Sequence, residues 1–369
     1  MDTPLPAPVR LPFPSPEGGW SRSVFRVKRG IVDPADGGLW CDDALCPEAM
    51  LYRWRSSYRG GKGTKPKMAT LLSGRHLWGG TIFFHFGHFL AESLPRLWAA
   101  ETSGAESILF TPKRLRGKRP HDLAGFQKQI LNRLGITLPV RIIYEPVEVE
   151  DLIIPGPGFG LGAMASGTPE FREFARRMDP GPGPDQGAHK LYISRTALPK
   201  KTGSVLAEAA LEEMLASEGF KIYHPQKHSI DDQLRTFRNA THILGPDASA
   251  FHLAVFIVQP GQTFTLIKRR SAREYVTFFD QLKAAGADVT VIDAVVADWV
   301  RPGKAKADDM SWGELDFSSL SAGLLARGLI QRPLPFTPAH REFAAELDEI
   351  AALHRGEMTR ISVELARVS

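Results

Sequence analysis

Between Leu191 and Ile292, short apolar runs alternate with longer amphipathic stretches, and this alternation constrains the fold more than any other feature of the chain. LYIS (191–194), Phe220–Tyr223, Ile243–Leu244, Thr263–Ile267 and Val289–Ile292 read as strands. Between them apolar residues recur at helical spacing. Ala207, Leu211, Met214 and Leu215 form one such face after Ser204, a candidate cap. Ile230, Leu234 and Phe237 form another, and Ser229 with Asp232 three residues on makes a capping-box-like start. Further helices are expected after Asp247 and near Tyr275–Ala285. Strand, helix and strand in repetition imply a parallel sheet with right-handed crossovers.

The first half carries the same alternation with more interruptions. Ser107–Phe110, Val140–Tyr144 and Leu152–Ile154 read as strands, and Phe89–Ala100 and Gly125–Leu134 as helices. PGPGFGLG (155–162) is a loop, and DPGPGPDQG (179–187) is the clearest linker, because Pro and Gly together forbid regular structure there. The expected plan is an α/β protein with two Rossmann-like domains. Residues 1–40 form an extended lead-in, 41–182 an N-terminal α/β domain and 183–300 a C-terminal Rossmann-like domain. Residues 301–369 form a helical tail that packs back through Phe343, Leu347, Ile350, Leu353 and Ile361.

With 369 residues and 43% hydrophobic content, the chain can bury a substantial core in two domains. Its net charge of +5 suits an anionic ligand or a membrane surface but is too small to argue for nucleic acid, and no nucleic-acid-binding signature occurs. KRLRGKR (113–119) reads as a solvated loop or a guide for an anionic polymer or lipid headgroups. The opening MDTPLPAPVRLPFP lacks the apolar core of a signal peptide, and no run approaches the roughly 20 residues of a membrane helix. Cys41 and Cys46, the two cysteines, fit a reducing compartment. A cytoplasmic protein is expected, with peripheral association at the inner membrane as an option.

Two segments carry chemistry. In GGTIFFHFGHFLAESLPRLWAAE (79–101), His88 and Glu92 are four apart and share a helix face, while Leu90, Leu94 and Leu97 take another. Pro95 is expected to kink that helix or to place its start later. One reading is a general base, His88, oriented or tuned by Glu92, with Arg96 available for an anion. The plainer reading is a histidine ion-paired within a half-buried helix. His85, His88 and Glu92 match no established zinc spacing and lack a further ligand nearby, so no metal is expected, although a metal hydrolase remains an alternative.

In the second segment, Arg195 follows the LYIS strand directly, where open α/β sheets bind ligands, and Lys200 lies in the next loop. The Arg fork suits phosphate oxygens. The turn GPDAS (245–249) offers backbone donors from Gly245 and Ala248 and the Ser249 hydroxyl, at a junction suited to anions. Asp247 serves as a helix cap, a sugar-hydroxyl acceptor or a base, and His252 faces either the cleft or the core.

These blocks resemble glycosyltransferase family 61, the group that includes bacterial capsular polysaccharide biosynthesis proteins. FHFGHFLAESLPRLW (84–98) looks like its first-domain motif, LYISR (191–195) like its strand-plus-arginine block, and GPDASAFHLAVF (245–256) like the end of its third block. The resemblance implies a GT-B arrangement, a nucleotide-sugar donor held by the second domain, and a saccharide or glycolipid acceptor. It also implies an inverting, metal-independent mechanism without a cofactor. Arg195, Lys200, Gly245, Ala248, Ser249 and His252 would hold the donor, His85 and Arg96 would face the acceptor, and the base would be His88, Glu92 or Asp247. One departure stands out. Where that family typically has His-Gly-Ser, this chain has Asp247-Ala248-Ser249, and Leu253 stands where an Asn is often found. Either the donor pocket is remodelled, or catalysis is weakened or lost and the chain is a non-catalytic nucleotide-sugar-binding partner in an assembly complex.

Overall fold

A computed structural model describes residues 13–16, 19–115, 117, 119–183, 189–334 and 340–363. The chain divides into two compact units, Met1–Asp179 and Pro180–Ser369, and the division falls inside the Pro/Gly-rich stretch.

The first unit is built on a mixed sheet. Its strands are β1 (Val24–Asp33), β2 (Gly38–Cys41), β3 (Ala44–Leu45), β6 (Thr70–Ile82), β7 (Ser107–Pro112), β8 (Val140–Ile142) and β9 (Val147–Pro155). A separate hairpin, β4 (Leu51–Arg53) and β5 (Ser56–Arg59), lies between β3 and β6 in the chain. The spatial order is β3-β2-β1-β9-β6-β7-β8. β9, β6, β7 and β8 run parallel, and β1 pairs antiparallel with β9 from Val24↔Pro155 to Val32↔Val147. The expectation of a lead-in over residues 1–40 therefore needs correcting, since β1 and β2 belong to the sheet. Arg26, Lys28 and Arg29 on β1 conceal the strand in the sequence, and Asp151 on β9 offsets two of them, at 2.6 Å from Arg26 and 3.1 Å from Lys28. Val32, Leu39, Trp78, Leu109, Val149 and Leu152 form the core beneath.

β6 continues unbroken through Gly79 and Gly80. A Cβ at position 79 would meet the Phe110 ring at 2.5 Å, and Gly80 holds φ +92 where the β6–β7 register shifts. The glycines allow a bulge within an intact strand.

The second unit contains a parallel sheet of β10 (Lys190–Ile193), β11 (Lys221–Tyr223), β12 (His242–Pro246), β13 (Thr263–Ile267) and β14 (Asp288–Ile292). Its order is β11-β10-β12-β13-β14, so the direction of winding reverses between β10 and β12. The connecting helices are α4 (Glu208–Ser217), α5 (Ile230–Asn239), α6 (Ala250–Ala254) and α7 (Tyr275–Ala284). They follow α1 (Phe86–His88), α2 (Gly125–Arg133) and α3 (Pro169–Ala175) of the first unit. Tyr192, Leu211, Leu215, Leu244, Ile267, Leu320 and Leu324 make the core. Ser229 caps α5 by accepting from the Asp232 amide at 3.1 Å. Ser204 does not cap α4; its hydroxyl donates to Glu208 at 2.5 Å, and left-handed Ala207 precedes the helix.

The chain after residue 294 is not purely helical, which corrects the expected tail. β15 (Val295–Val300), β16 (Trp312–Leu315) and β17 (Thr359–Ser362) form a small antiparallel sheet, and α8 (Phe317–Ala326) and α9 (His340–His354) accompany it. Ile350 of α9 is fully buried beside Leu206 and Trp312, with Phe343 and Leu347 packed around them. Leu353 is largely exposed, and Ile361 lies in β17 rather than on the helix face.

Gly245 fixes how closely β10 and β12 approach. A Cβ there would fall 2.6 Å from the Ile193 carbonyl oxygen, a backbone atom that cannot rotate away. Gly245→Ala is expected to destabilise the protein by about 2 kcal/mol, the scale of an overpacked core. A urea midpoint equal to that of the wild type would refute this.

Candidate functional site

The parallel sheets place two groups of polar side chains just beyond strand carboxyl ends, one in each unit. Each group includes residues that follow the first parallel strand of its sheet, β6 or β10, where strands on either side are reached by opposite turns of the chain and ligands commonly bind.

In the first unit, β6 leads into a turn at Phe83–His85. Ser93 Oγ accepts from the Phe83 amide and donates to the Thr81 carbonyl, both at 3.0 Å, and Gln127 donates to the Phe83 carbonyl at 3.1 Å. α1 then passes into one π-helical turn, Phe89–Ser93, closed by the Leu94 amide on the Phe89 carbonyl. The helix therefore starts earlier than Phe89–Ala100 suggests and ends before Pro95. Only a short 3-10 turn, Leu97–Ala99, follows.

The turn sets His88 and Glu92 on one face. His88 Nδ1 lies 2.5 Å from Glu92 Oε2, and the imidazole stacks on Phe83 at a centroid distance of 5.1 Å. Among the described residues Nε2 of His88 has no partner. Glu92 is buried and also accepts two bonds from Arg53 of β4, Nε at 2.6 Å and Nη2 at 3.0 Å. Burial pushes its carboxyl up, but the bonds from His88 and Arg53 outweigh it, and the group lies below its ordinary range. Arg53 stacks in turn on Tyr58, 3.6 Å from the ring centroid. The geometry is that of an imidazole with one nitrogen anchored to a carboxylate and the other turned outward.

His85 is exposed, its ring centroid 5.1 Å from that of His88. Arg96 is placed differently from the acceptor-facing reading. It is buried, with guanidinium bonds to the Pro155 carbonyl and, at 2.8 Å, the Met50 carbonyl, and burial lowers it to about 10. Arg96 and Glu92 share a narrow pocket with Tyr52, Pro95 and Phe159. Among the described residues no three His, Cys, Asp or Glu side chains gather in a metal-holding group, so His85, His88 and Glu92 do not form one. Arg116 and Lys118 of the basic run lie outside the described residues. Arg119 pairs with exposed Glu145 at 3.1 Å.

In the second unit, Arg195 follows β10 and the Asp247–Ser249 turn follows β12. The Arg195 guanidinium donates to the Thr202 carbonyl at 3.0 Å and the Gly203 carbonyl at 2.7 Å, and its amide donates to Glu208 at 2.8 Å. Asp247 is not the helix cap. It is 1% exposed, its Oδ1 accepts from Arg269 Nε at 2.8 Å, and its Oδ2 has no partner among the described residues. Ser249 occupies the cap position of α6 in a helical conformation, without a side-chain capping bond. Ala248 is buried.

Two expected donor residues are engaged elsewhere. Lys200 is paired with Glu349 of α9. His252 is buried, 2.6 Å from Gln281 and against Phe278, so it takes the core reading.

Sequence reasoning missed Arg53, Glu208, Arg269 and Arg270. The two arginines had a signal, since KRR (268–270) follows a parallel strand as Arg195 does. Arg53 had none, because its partner is 39 residues away on a different element. Glu208 lies in the first turn of α4, where an acid is ordinarily solvated. It is instead buried among Ser204, Tyr192 and the Arg195 amide, and burial raises it to about 7.

Opposite pH behaviour is expected at the two carboxylates. The depressed Glu92 contributes stability above the ordinary carboxylate range, and that stability is lost as pH falls through its lowered folded value. Arg53→Met should cost about 3 kcal/mol at pH 7, shrinking as Glu92 protonates. The raised Glu208 contributes stability that is fully present below its ordinary value and is lost as pH rises through about 7. The wild type's stability relative to Glu208→Gln should therefore fall between pH 5 and pH 8 (approximate bounds). Flat difference curves from urea titrations across pH would refute both assignments.

Comparison with curated proteins gives no match. The family model described as Glycosyltransferase 61 matches residues 86–265, from the turn that carries His88 and Glu92 through Arg195 and the Asp247 turn to β13. Over that span, just under half of its length, the chain is similar to glycosyltransferase family 61.

Proposed function

We propose that the protein is an inverting glycosyltransferase that moves a sugar from a nucleotide-sugar donor to a hydroxyl acceptor, in the assembly of a surface polysaccharide. The observation that carries this reading is the clustering of Arg195 with Arg269 at the winding reversal of the second sheet, inside the family span at its first member and just past it at the second. In this reading the second unit holds the donor and meets the charge that develops on the departing diphosphate.

His88 is the acceptor's base. Glu92 fixes Nδ1, so Nε2 takes the hydroxyl proton, and the carboxylate stabilises the imidazolium that forms. Arg53 keeps Glu92 ionised, which makes it a positioning residue. Neither a metal nor a cofactor is required in this scheme. No helix among the described residues is long and apolar enough to cross a membrane, and a cytoplasmic site of action is part of the proposal.

The test is a thermal-shift and transfer screen against nucleotide sugars, with and without EDTA. A selective, EDTA-insensitive shift is expected, since a ligand at a hundred times its Kd stabilises by about 2.7 kcal/mol. Arg195→Ala should abolish the shift. His88→Asn should keep it while lowering kcat by about a hundredfold or more. A donor that shifts His88→Asn and is still transferred at the wild-type rate would remove the base assignment. Absence of any shift would instead favour a non-catalytic partner.

A further inference from the structure

The second unit buries more cationic charge at one sheet edge than folding alone explains. Arg269 and Arg270 lie two and three residues beyond β13 and are 6% and 4% exposed. Arg269 spends Nε on Asp247 and Nη1 on the Asp309 carbonyl at 3.4 Å. Arg270 spends Nε on Glu274 and Nη1 on the Asp308 carbonyl, both at 3.2 Å. Arg195 spends Nε and Nη2 on Gly203 and Thr202. Each guanidinium thus keeps one terminal nitrogen (Nη1 of Arg195, Nη2 of Arg269 and of Arg270) without a partner among the described residues. None of these three is among the polar atoms sealed from solvent.

The three side chains act on one another. Burial lowers Arg269 to about 9, and Arg195 and Arg270 add repulsion against the attraction of Asp247. Burial likewise lowers Arg195, within the fields of Glu208, Asp247 and Arg270. The neighbouring carboxylates do not cancel this charge. Glu274 is half exposed, so solvent weakens its pairing with Arg270. Lys268 is matched separately by Asp293 at 2.5 Å. What remains is a cation-rich cluster with spare donors and two buried carboxylates: Glu208, which accepts from the Arg195 amide, and Asp247, whose Oδ2 has no partner among the described residues.

We propose that Arg195, Arg269 and Arg270 form one phosphate-binding site and that Asp247 is its built-in counter-ion, which holds Arg269 in place while lowering the site's affinity for anions. Oδ1 aligns the Arg269 fork. The unshared charge on Oδ2 subtracts from the field a phosphate meets on entry. The residue at this position therefore sets how tightly the departing diphosphate is retained. The inference rests on the proposed donor reading and adds to it two arginines and a residue that tunes release.

The test uses inorganic pyrophosphate and isothermal titration of the full chain. The wild type should bind it, and Arg270→Gln should weaken binding about tenfold or more, as for loss of one charge-assisted hydrogen bond. Asp247→Asn is the informative variant. Its amide oxygen still accepts from Arg269 while its NH2 replaces Oδ2 and donates, so pyrophosphate should bind about tenfold more tightly, with a steeper dependence on salt. Unchanged or weaker binding by a folded Asp247→Asn protein would overturn the counter-ion role. Wild-type failure to bind pyrophosphate, or indifference to Arg270→Gln, would overturn the site. Arginine-dependent pyrophosphate binding without any response to nucleotide sugars would leave the site standing and remove the donor reading. A nucleotide-sugar response indifferent to both substitutions would do the reverse.

Discussion

Parallel pairing of β10 with both β11 and β12 is the constraint on which the second unit depends. Parallel neighbours cannot be joined by a tight turn, so every connection crosses over through a helix and every strand delivers its carboxyl end to the same edge. Arg195, Asp247 and Arg269 are far apart in the chain, yet each occupies the first or second position beyond its strand. Gly245 sharpens the convergence by letting β12 approach the Ile193 carbonyl more closely than a side chain would permit. The convergence of these residues at one edge follows from the winding.

Burial of charge is the second organising principle, and the two units use it in opposite senses. In the first, a carboxylate is the buried centre and hydrogen-bonding side chains serve it. Arg53 and His88 converge on Glu92, and desolvation strengthens both bonds because their alternative is an uncompensated buried anion. In the second, guanidinium groups are the buried centre and Asp247 serves one of them. Arg96 shows the purely structural form of the same device. Its buried guanidinium ties the Pro155 and Met50 carbonyls, drawing β9 toward the segment that leads into β4. An arginine near a motif is thus no guide to function until the carbonyls and carboxylates that consume its donors are known.

The extent to which the sequence was legible follows from the range of each interaction. Strands such as Thr263–Ile267 stood out because β-branched and aromatic residues crowd a short run, and the Ser229 cap because it acts across three residues. β1 was obscured because Arg26 and Lys28 occupy strand positions and their partner, Asp151, lies on a strand more than a hundred residues later. His88 and Glu92 were paired correctly because a helical turn brings residues four apart together. Their ally Arg53 arrives through a separate hairpin and left no local trace. His252 could face a cleft or a core until Phe278 and Gln281 of α7 were placed beside it. Periodicity reports which face is buried but not against what, and the identity of the neighbour decided each of these cases.

The contrast between the units bears on the proposed reaction itself. Transfer of a glycosyl group to a hydroxyl removes a proton at one end and leaves negative charge on a diphosphate at the other. An imidazole backed by a carboxylate suits the first task, because the carboxylate stabilises the cation that forms as the proton arrives. Buried guanidinium groups suit the second, because their positive charge is already in place and no solvent need reorganise when the bond breaks. A site built only of arginines would, however, retain the product diphosphate as firmly as it stabilises the transition state, and turnover would then be limited by release. An aspartate at position 247, where the resembling family typically carries histidine, works against that retention. In this reading the departure does not signal a damaged site. It places an anion where it offsets part of the cationic charge that departure of the diphosphate requires.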